Sequence, residues 1–222
     1  MDDLQLFYNK LQKHPFSFVK HIINFSIQNQ HISSDVMLKF SKYKYTPQSF
    51  SDERSNLSFP LSQFDEIIMY DIVRKLDIHE ELSFHSLIEE FGVSYHLPLI
   101  DFGNVDRSGI DTSPLRELSE HWDMSFYIFN SGRSFHAYGN RLISSSDWIK
   151  FMGSLLLLNK PSGFKLIDER WVGHRLMAGY GSLRWSANTP HYKKEPVFSG
   201  FLSSSGLEWI KPEKIWPLSQ GD

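Results

Sequence analysis

The chain contains no cysteine, which excludes disulfide bonds, thiolate zinc sites and a cysteine nucleophile. It also lacks a long hydrophobic run: its only run of leucines covers residues 155–158, whereas a membrane-spanning helix needs about 20 apolar residues. The sequence begins Met-Asp-Asp-Leu, without the basic segment of a secretory signal. These absences predict a cytoplasmic protein that makes no contact with a membrane.

An excess of positive charge is missing as well. Lysine and arginine total 23, aspartate and glutamate total 26, and the formal net charge is −3. This charge balance is not typical of a protein that binds nucleic acid non-specifically, but binding depends on local patches of charge. One basic cluster contains Arg170, His174, Arg175, Arg184, His191, Lys193 and Lys194. It is either a phosphate-binding patch or a mixed, solvated surface.

The first part of the chain has the pattern of a helical region. Apolar residues at helical spacing predict helices over residues 3–29, 61–77 and 79–91, and Ser34 can cap a short helix over residues 35–40. Residues 41–60 are rich in serine and charged side chains, which predicts a loop or linker.

The pattern changes near residue 95, where short apolar runs alternate with helical segments. Strands are predicted over residues 96–102, 126–129, 134–138 and 164–168, with helices over 113–122 and 147–158. The Asn130-Ser131-Gly132 turn predicts that the two middle strands form an antiparallel hairpin. We therefore expect an α+β domain over residues 61–222, preceded by a helical region and linker over residues 1–60.

Polar residues stand on or at the ends of these predicted strands. Asp101 and Asp168 each end an apolar run, and Ser134 and His136 lie two residues apart and so face the same side of a strand. Carboxylates bind divalent metal, and a serine–histidine pair can hold the phosphates that the metal neutralises. The structural alternatives are that Asp101 caps the following loop and that the serine and histidine form an ordinary polar pair.

The sequence resembles the archaeo-eukaryotic primase (primase-polymerase) superfamily over roughly residues 95–193. The best part of the resemblance covers residues 115–122 and 125–136, where Ser134 and His136 occupy the family's Ser-x-His positions. Asp168 matches the acid of the third motif, and residues 183–189 resemble the arginine-containing strand that follows it. The first motif departs from the family. It normally has two acids separated by one residue; Asp101 fits the first, but Gly103 stands in place of the second.

The resemblance implies a primase-polymerase-like mixed sheet that binds a nucleoside triphosphate and DNA or RNA. It implies that Asp101 and Asp168 hold Mg²⁺ or Mn²⁺ for nucleotidyl transfer, with nearby Asp106 as the best substitute for the missing acid. The nucleotide-binding residues it implies are Ser134, His136, Arg175, Arg184 and Asn188. It also predicts that the strands carrying Asp101, Ser134–His136 and Asp168 lie in one sheet.

Two alternatives remain open at this level. The first is a catalytically inactive relative that uses the same cleft for binding, or as a scaffold for a protein partner; Gly103 and the acidic overall charge favour it. The second is an α+β domain of another role.

Overall fold

The computed structural model describes residues 3–30, 32–103, 107–192 and 194–210. In these residues the chain forms six α-helices and eleven β-strands, and every strand pair is antiparallel. The helices are α1 (Asp3–Leu11), α2 (Pro15–Gln30), α3 (Glu66–Arg74), α4 (Thr112–Trp122), α5 (Ser145–Leu156) and α6 (Glu169–Ala178). The strands are β1 (Met37–Lys44), β2 (Arg54–Pro60), β3 (Glu80–Glu90), β4 (Val93–His96), β5 (Leu99–Asp101), β6 (Phe126–Asn130), β7 (Phe135–Gly139), β8 (Ile143–Ser144), β9 (Ser182–Arg184), β10 (Val197–Ser203) and β11 (Gly206–Trp209). The predicted α+β class is confirmed.

The predicted amino-terminal helices are present as α1 and α2, with Pro15 at the first position of α2, where its missing N–H costs nothing. His14 in the turn between them is buried. Its Nε2 lies 2.7 Å from the carbonyl oxygen of Trp185, and its Nδ1 accepts the backbone N–H of Phe16 at 3.1 Å. This pair of bonds fixes the helical pair to the chain just beyond β9.

A sheet of six strands has the order β2-β1-β3-β4-β8, with β9 also paired to β3. Three secondary-structure predictions are wrong here. Residues 35–40 are not a helix, because β1 begins at Met37; residues 41–60 are not a linker, because β1 and β2 fill most of them; and residues 79–91 are β3 rather than a helix. Strands from both sides of residue 60 pair in this sheet, and the division of the chain at that residue stays a prediction.

The error in β3 has a physical cause. Phe84, Leu87 and Ile88 are spaced as they would be on a helix, but β3 pairs with β1 through an irregularity. Leu38 pairs with Ile88, and Phe40 pairs with Phe84. An advance of two residues along β1 therefore corresponds to an advance of four residues along β3. The extra residues form a bulge. Phe84 and Ile88 lie in one core with Leu82 because alternate residues of a strand face the same side. The polar Ser86 interrupts that alternation in the sequence, and Leu87 completes the helix-like spacing.

A sheet of five strands has the order β11-β10-β6-β7-β5. The predicted hairpin is confirmed, because β6 and β7 are antiparallel neighbours with Phe129 opposite His136. The helices on either side of this hairpin begin slightly earlier than predicted. The side chain of Asp111 caps α4, which begins at Thr112, and the side chain of Ser144 caps α5, which begins at Ser145.

The segment 164–168 does not form the predicted strand. Ile167 makes a single antiparallel bridge to Phe102, and the backbone N–H of Asp168 donates to the carbonyl oxygen of Asp101 at 3.0 Å. Asp168 then becomes the N-cap of α6, where its Oδ1 accepts the N–H of Trp171 at 3.0 Å. The strands at Asp101 and His136 do share one sheet, and the Asp168 segment is hydrogen-bonded to the edge of that sheet.

Two hydrophobic cores hold these layers together. The first lies among α1, α2, α3 and the six-stranded sheet, around the buried ring of Trp185. The second lies between the five-stranded sheet and α4, α5 and part of α6. Successive residues of β6 alternate between the cores, with Phe129 in the first and Ile128 in the second. The five-stranded sheet is therefore covered on both faces.

Candidate nucleotide-binding cleft

A cavity of about 930 Å³ opens where the ends of the two sheets meet. The loop between β1 and β2, the end of β5, the turn between β6 and β7, α6 and β9 contribute to its lining. Among the described residues, seven lysines and arginines line it against five aspartates and glutamates. The cleft is thus locally basic although the whole chain carries a net charge of −3, and such a concentration of one charge attracts anions.

One side of the cleft, the acidic wall, consists of Asp101, His136 and Asp168. Asp101 faces His136 across the β5–β7 pair, with 3.7 Å between Oδ1 and Nε2. Burial raises the pKa of Asp101 well above its usual value, and the Asp168 carboxylate raises it further, against the opposing charges of Arg184 and Arg175. A negative charge on Asp101 is thus disfavoured by burial and by a neighbouring carboxylate, and a bound cation would stabilise that charge.

His136 is buried and neutral in this setting. Burial lowers the pKa of its imidazole well below the usual value, and the charge of Arg184 lowers it further. Within the described part of the chain its Nδ1 has no hydrogen-bond partner. The described residues therefore leave the hydrogen-bonding capacity of this buried nitrogen unused, which is uncommon for a buried polar atom.

Ser134 lines the cleft but already uses its hydroxyl hydrogen. Its Oγ makes a short hydrogen bond to the carbonyl oxygen of Gly103 and lies 3.2 Å from that of Phe102. The hydroxyl so ties the start of β7 to the residues just beyond β5. Only its lone pairs stay available to a ligand, and its predicted nucleotide-binding role stays a prediction.

Gly103 stands where the family has its second acid, and the structure leaves no room there for a side chain. A Cβ atom on Gly103 would lie 2.5 Å from the carbonyl oxygen of Lys165, closer than real Cβ contacts come. The N–H of Gly103 donates to the carbonyl oxygen of Leu166 at 2.9 Å, which holds the two segments together. The backbone of residues 165–166 therefore occupies this position. The proposed substitute Asp106 lies outside the described residues.

The opposite side, the arginine wall, consists of Arg54, Arg175 and Arg184. Arg184 on β9 is buried and donates to the carbonyl oxygens of Ser131 at 2.5 Å, of Lys194 at 3.2 Å and, in a short bond, of Ser186. Its guanidinium carbon lies 4.0 Å from the ring centre of Tyr192. In the described residues its Nε has no partner.

Arg54 and Arg175 share one carboxylate. Both oxygens of Asp52 lie 2.9 Å from Nε of Arg54, and Oδ2 also forms a short ion pair with Nη2 of Arg175. Sequence reasoning had included Arg175 but missed Arg54 and Asp52, which fall in the segment interpreted as a linker. The only signal was an arginine at the start of what proves to be a strand.

Asn188 lies outside the lining of the cleft. Its Nδ2 donates to the carbonyl oxygens of Asp77 at 2.8 Å and Glu80 at 3.0 Å, and its backbone N–H donates to the buried carboxylate of Glu81 at 2.9 Å. These bonds fasten the segment after β9 to the start of β3. The structure therefore brings together every other described residue of the predicted site, namely Asp101, Ser134, His136, Asp168, Arg175 and Arg184.

The metal-ligating capacity of the acidic wall is limited. Across the described ranges, no group of three or more histidine, aspartate or glutamate side chains is arranged to hold a metal ion. Asp101 and Asp168 still suit one hard divalent cation, provided that a bound phosphate supplies further oxygens. The raised pKa of Asp101, caused by burial and by Asp168, fits a position that a cation would stabilise.

The cleft brings two aspartates beside a Ser-x-His segment, the arrangement that the resemblance to primases implies. The family model described as AEP-like, archaeo-eukaryotic primase 1D-like, matches residues 60–197. Because this match spans more than half of the 222 residues, the chain belongs to the archaeo-eukaryotic primase superfamily. The resemblance seen over residues 95–193 is confirmed and extends towards the amino terminus through α3 and β3.

Searches among curated proteins and among solved structures returned no significant match. None of the helices in the described residues has the length and apolar character needed to cross a bilayer.

Proposed function

We propose that this primase-like protein binds a nucleoside triphosphate in the cleft, with a DNA or RNA strand beside it. The observation that carries the proposal is a set of three buried nitrogens around one cavity. Nδ1 of His136, Nη1 of Arg175 and Nε of Arg184 have no hydrogen-bond partner among the described residues, although all three side chains line the cleft. A buried polar group without a partner costs about 1–3 kcal/mol. Phosphate oxygens would offset this cost after a small side-chain shift that opens these atoms to the cleft.

The triphosphate is the ligand that best matches these groups. Arginine forks pair with phosphate oxygens in two parallel hydrogen bonds, and a neutral histidine can add one N–H donor. Asp101 and Asp168 would hold Mg²⁺ or Mn²⁺, which would neutralise phosphate charge and activate the reacting oxygens of a nucleotidyl transfer. The remaining task of the protein is to hold the triphosphate against the acidic wall, and the two flanking arginines support that role.

A second candidate is favoured by the packing of Gly103 against Lys165. Two-metal transfer needs carboxylate charge beside both reacting oxygens. A side chain at residue 103 cannot supply it without moving the backbone of the neighbouring segment. The chain would then be a catalytically inactive relative that binds nucleotide or nucleic acid together with a protein partner.

The binding test uses the full chain and isothermal titration calorimetry with Mg²⁺-nucleoside triphosphates. We expect His136→Ala to weaken affinity at least tenfold, since loss of one phosphate contact costs about 1.5–3 kcal/mol. His121→Ala, on the exposed side of α4, is the matched control. Thermal unfolding of both variants verifies that they fold. Unchanged affinity would remove His136 from the site, and a parent protein that binds no nucleotide would contradict the proposal.

Primer extension and de novo priming separate the two candidates. An active parent, with Mg²⁺ or Mn²⁺ and with ribo- or deoxyribonucleotides, should lose extension in both Asp101→Asn and Asp168→Asn. If Asp106 replaces the missing acid, Asp106→Asn should abolish extension to a similar degree. A parent that binds nucleotide but neither primes nor extends under any of these conditions would favour the inactive relative.

A further inference from the structure

The strongest unassigned feature of the cleft is the carboxylate of Asp52 between the buried Arg175 and the largely buried Arg54. Asp52 is the last but one residue of the loop 45–53, which joins β1 to β2. Its oxygens accept from Nε of Arg54 at 2.9 Å and from Nη2 of Arg175 in a shorter contact. A single side chain of this loop thus reaches into the centre of the arginine wall.

The two arginines carry more positive charge than Asp52 can balance. The side chain of Arg175 is only 2% exposed and that of Arg54 11%, so water neutralises them poorly. Nη1 of Arg175 is buried and without a partner in the described parts of the chain. Nearby His85 cannot add negative charge, and burial together with both arginines lowers its pKa to about 3. One carboxylate against two guanidinium groups leaves an excess charge in a desolvated place.

Arg54 is held independently of Asp52. Its Nη1 lies within hydrogen-bond distance of three serine hydroxyls, at 2.8 Å from Ser83, 3.0 Å from Ser41 and 3.1 Å from Ser182. These serines stand on three strands, β3, β1 and β9. Arg175 extends from α6, where its buried guanidinium donates to Asp52 and lies 5.7 Å from the ring centre of Tyr180. The guanidinium of Arg54 is therefore prepositioned, and burial restricts that of Arg175, as a binding site requires.

Asp52 is the movable member of the three. Its side chain is 27% exposed, and it belongs to a loop whose other residues are mostly exposed. A tie from the loop to α6 is the donation from Nη2 of Arg170 to the carbonyl oxygen of Ser49 at 3.3 Å. Loop segments of this kind open at lower free-energy cost than packed strands.

We propose that Arg54 and Arg175 form a subsite for the polyphosphate group of the ligand, and that Asp52 occupies this subsite until the ligand displaces it. The inference rests on the proposed nucleotide-binding function. A phosphate group brings more negative charge than one carboxylate and offers oxygens to both guanidinium forks. The carboxylate acts as an internal competitor, and its departure releases the loop between β1 and β2 from the cleft.

The test titrates inorganic tripolyphosphate into the full chain without metal, so that neither the base nor the acidic wall contributes. Asp52→Asn should bind tripolyphosphate about tenfold more tightly, because the competitor is gone. Arg54→Lys and Arg175→Lys should each bind it about tenfold more weakly, since lysine lacks the fork. Asp71→Asn and Arg116→Lys, both at exposed helical positions, are the matched controls and should leave affinity unchanged.

The outcomes separate this inference from the proposed function. Weaker or unchanged binding by Asp52→Asn would overturn the competitor role. Unchanged binding by both arginine variants would overturn the subsite. If the parent still binds Mg²⁺-nucleoside triphosphate in either case, the proposed function stands and only this inference fails. A parent and an Asp52→Asn variant that bind neither ligand would contradict both.

Hydrogen exchange provides a second measurement, which the loss of the Asp52 charge would not alter unless the loop also opened. Backbone amides of residues 45–53 should exchange faster in Asp52→Asn than in the parent, and faster in the parent with saturating tripolyphosphate than without it. Amides of β3 should not change and serve as the internal control. Unchanged exchange in the loop under both conditions would overturn the displacement of Asp52.

Discussion

The acidic wall and the arginine wall face the same cavity, but their polar groups are used differently. On the acidic wall, Ser134 donates to the backbone at Phe102 and Gly103, and Asp168 caps α6. The place of a second acid is filled by the carbonyl group of Lys165. On the arginine wall, Arg175 and Arg184 each retain a buried nitrogen without a partner among the described residues.

The residues of the family motif and the residues proposed to bind a ligand in the cleft therefore overlap only in part. The motif residues mark where the cleft lies, and several of them also hold it together. Under the proposed function, Arg175 and Arg184 would supply two of the three unpartnered nitrogens, and Arg54, which precedes the family match, would join them as a phosphate subsite. In that case a relative without the second acid could still bind phosphate.

The largest expected effect tests whether the arginine wall is also structural. Arg184→Met would leave the carbonyl oxygens of Ser131, Ser186 and Lys194 without this donor and remove the contact with Tyr192. We expect the free energy of unfolding to fall by roughly 4 kcal/mol, given about 1–3 kcal/mol for each buried acceptor left unpaired. Urea denaturation measures it. Arg116→Met on α4 is the control, and a loss near that of the control would mean that Arg184 serves ligand alone.

The next prediction concerns the pH dependence of stability that arises from His85, which lies near Arg54 and Arg175. Burial, then Arg54 and Arg175, lower the pKa of His85 to about 3, so the folded protein leaves it neutral where the unfolded chain, with a pKa near 6.5, protonates it. The unfolded state therefore binds more protons between these values, and stability falls as the pH falls. From pH 6.5 to pH 4 this histidine should account for a loss of about 3 kcal/mol.

His85→Gln isolates that contribution. The variant should lose less stability than the parent over the same pH interval, measured by urea denaturation at each pH. His14 and His96, whose burial lowers each pKa to about 4, remain in both proteins, so the difference reports His85. Parallel pH profiles for parent and variant would show that burial and the nearby arginines do not lower the pKa of His85.

A smaller effect tests the closed backbone of the acidic wall. Gly103→Ala would push a methyl group against the carbonyl oxygen of Lys165 and should cost about 1–3 kcal/mol. Gly153→Ala in α5 is a matched control: a Cβ atom there would meet nothing within 4 Å, and the change should stabilise the helix by about 0.5–1 kcal/mol. For the same steric reason, we expect Gly103→Asp to destabilise the protein rather than restore extension. A stable, active Gly103→Asp would contradict this explanation.

The smallest effect separates the two roles of Asp168. Asparagine is as good an N-cap as aspartate, whereas alanine is not, so Asp168→Ala should lose about 1 kcal/mol of stability and Asp168→Asn almost none. Both variants should lose any thermal stabilisation that Mg²⁺ or Mn²⁺ adds to the nucleotide-bound protein. A metal-dependent stabilisation that survives in Asp168→Ala would remove this carboxylate from the metal site.

Much of the motif region could be predicted from the sequence because its signals are local. The β6–β7 hairpin has a turn between two apolar runs, and Asp101 and Asp168 each follow such a run. Asp101 and Asp168 do lie close together in the structure. Their segments are joined by a backbone hydrogen bond and one β-bridge instead of a full strand pair. The steric block at Gly103 could not be predicted, since it depends on residue 165, which is remote in the sequence.

The region before residue 95 was predicted less well for two reasons. In β3 the polar Ser86 interrupts the apolar alternation of Leu82, Phe84 and Ile88, and in β2 only Leu57 and Phe59 alternate among polar residues. The ion pair of Asp52 and Arg175 joins residues 123 positions apart. No local pattern indicates such a contact, so Arg54 and Asp52 became visible only in the folded chain, whereas Arg175 and Arg184 had been predicted from the sequence.

The arrangement of β3 has a consequence for the fidelity of folding. Ser41, Ser83 and Arg184 are opposite one another across β1, β3 and β9, and the adjacent row is Phe40, Phe84 and Leu183. A slip of β3 by one residue would turn Phe84 towards the cleft and Ser83 into the aromatic core, because successive side chains of a strand face opposite ways. A misaligned chain would thus lose its core and the lining of its cleft in a single error. The pairing that buries the aromatic core is also the pairing that builds the cleft, so a chain in the wrong register would be unstable and readily unfolded.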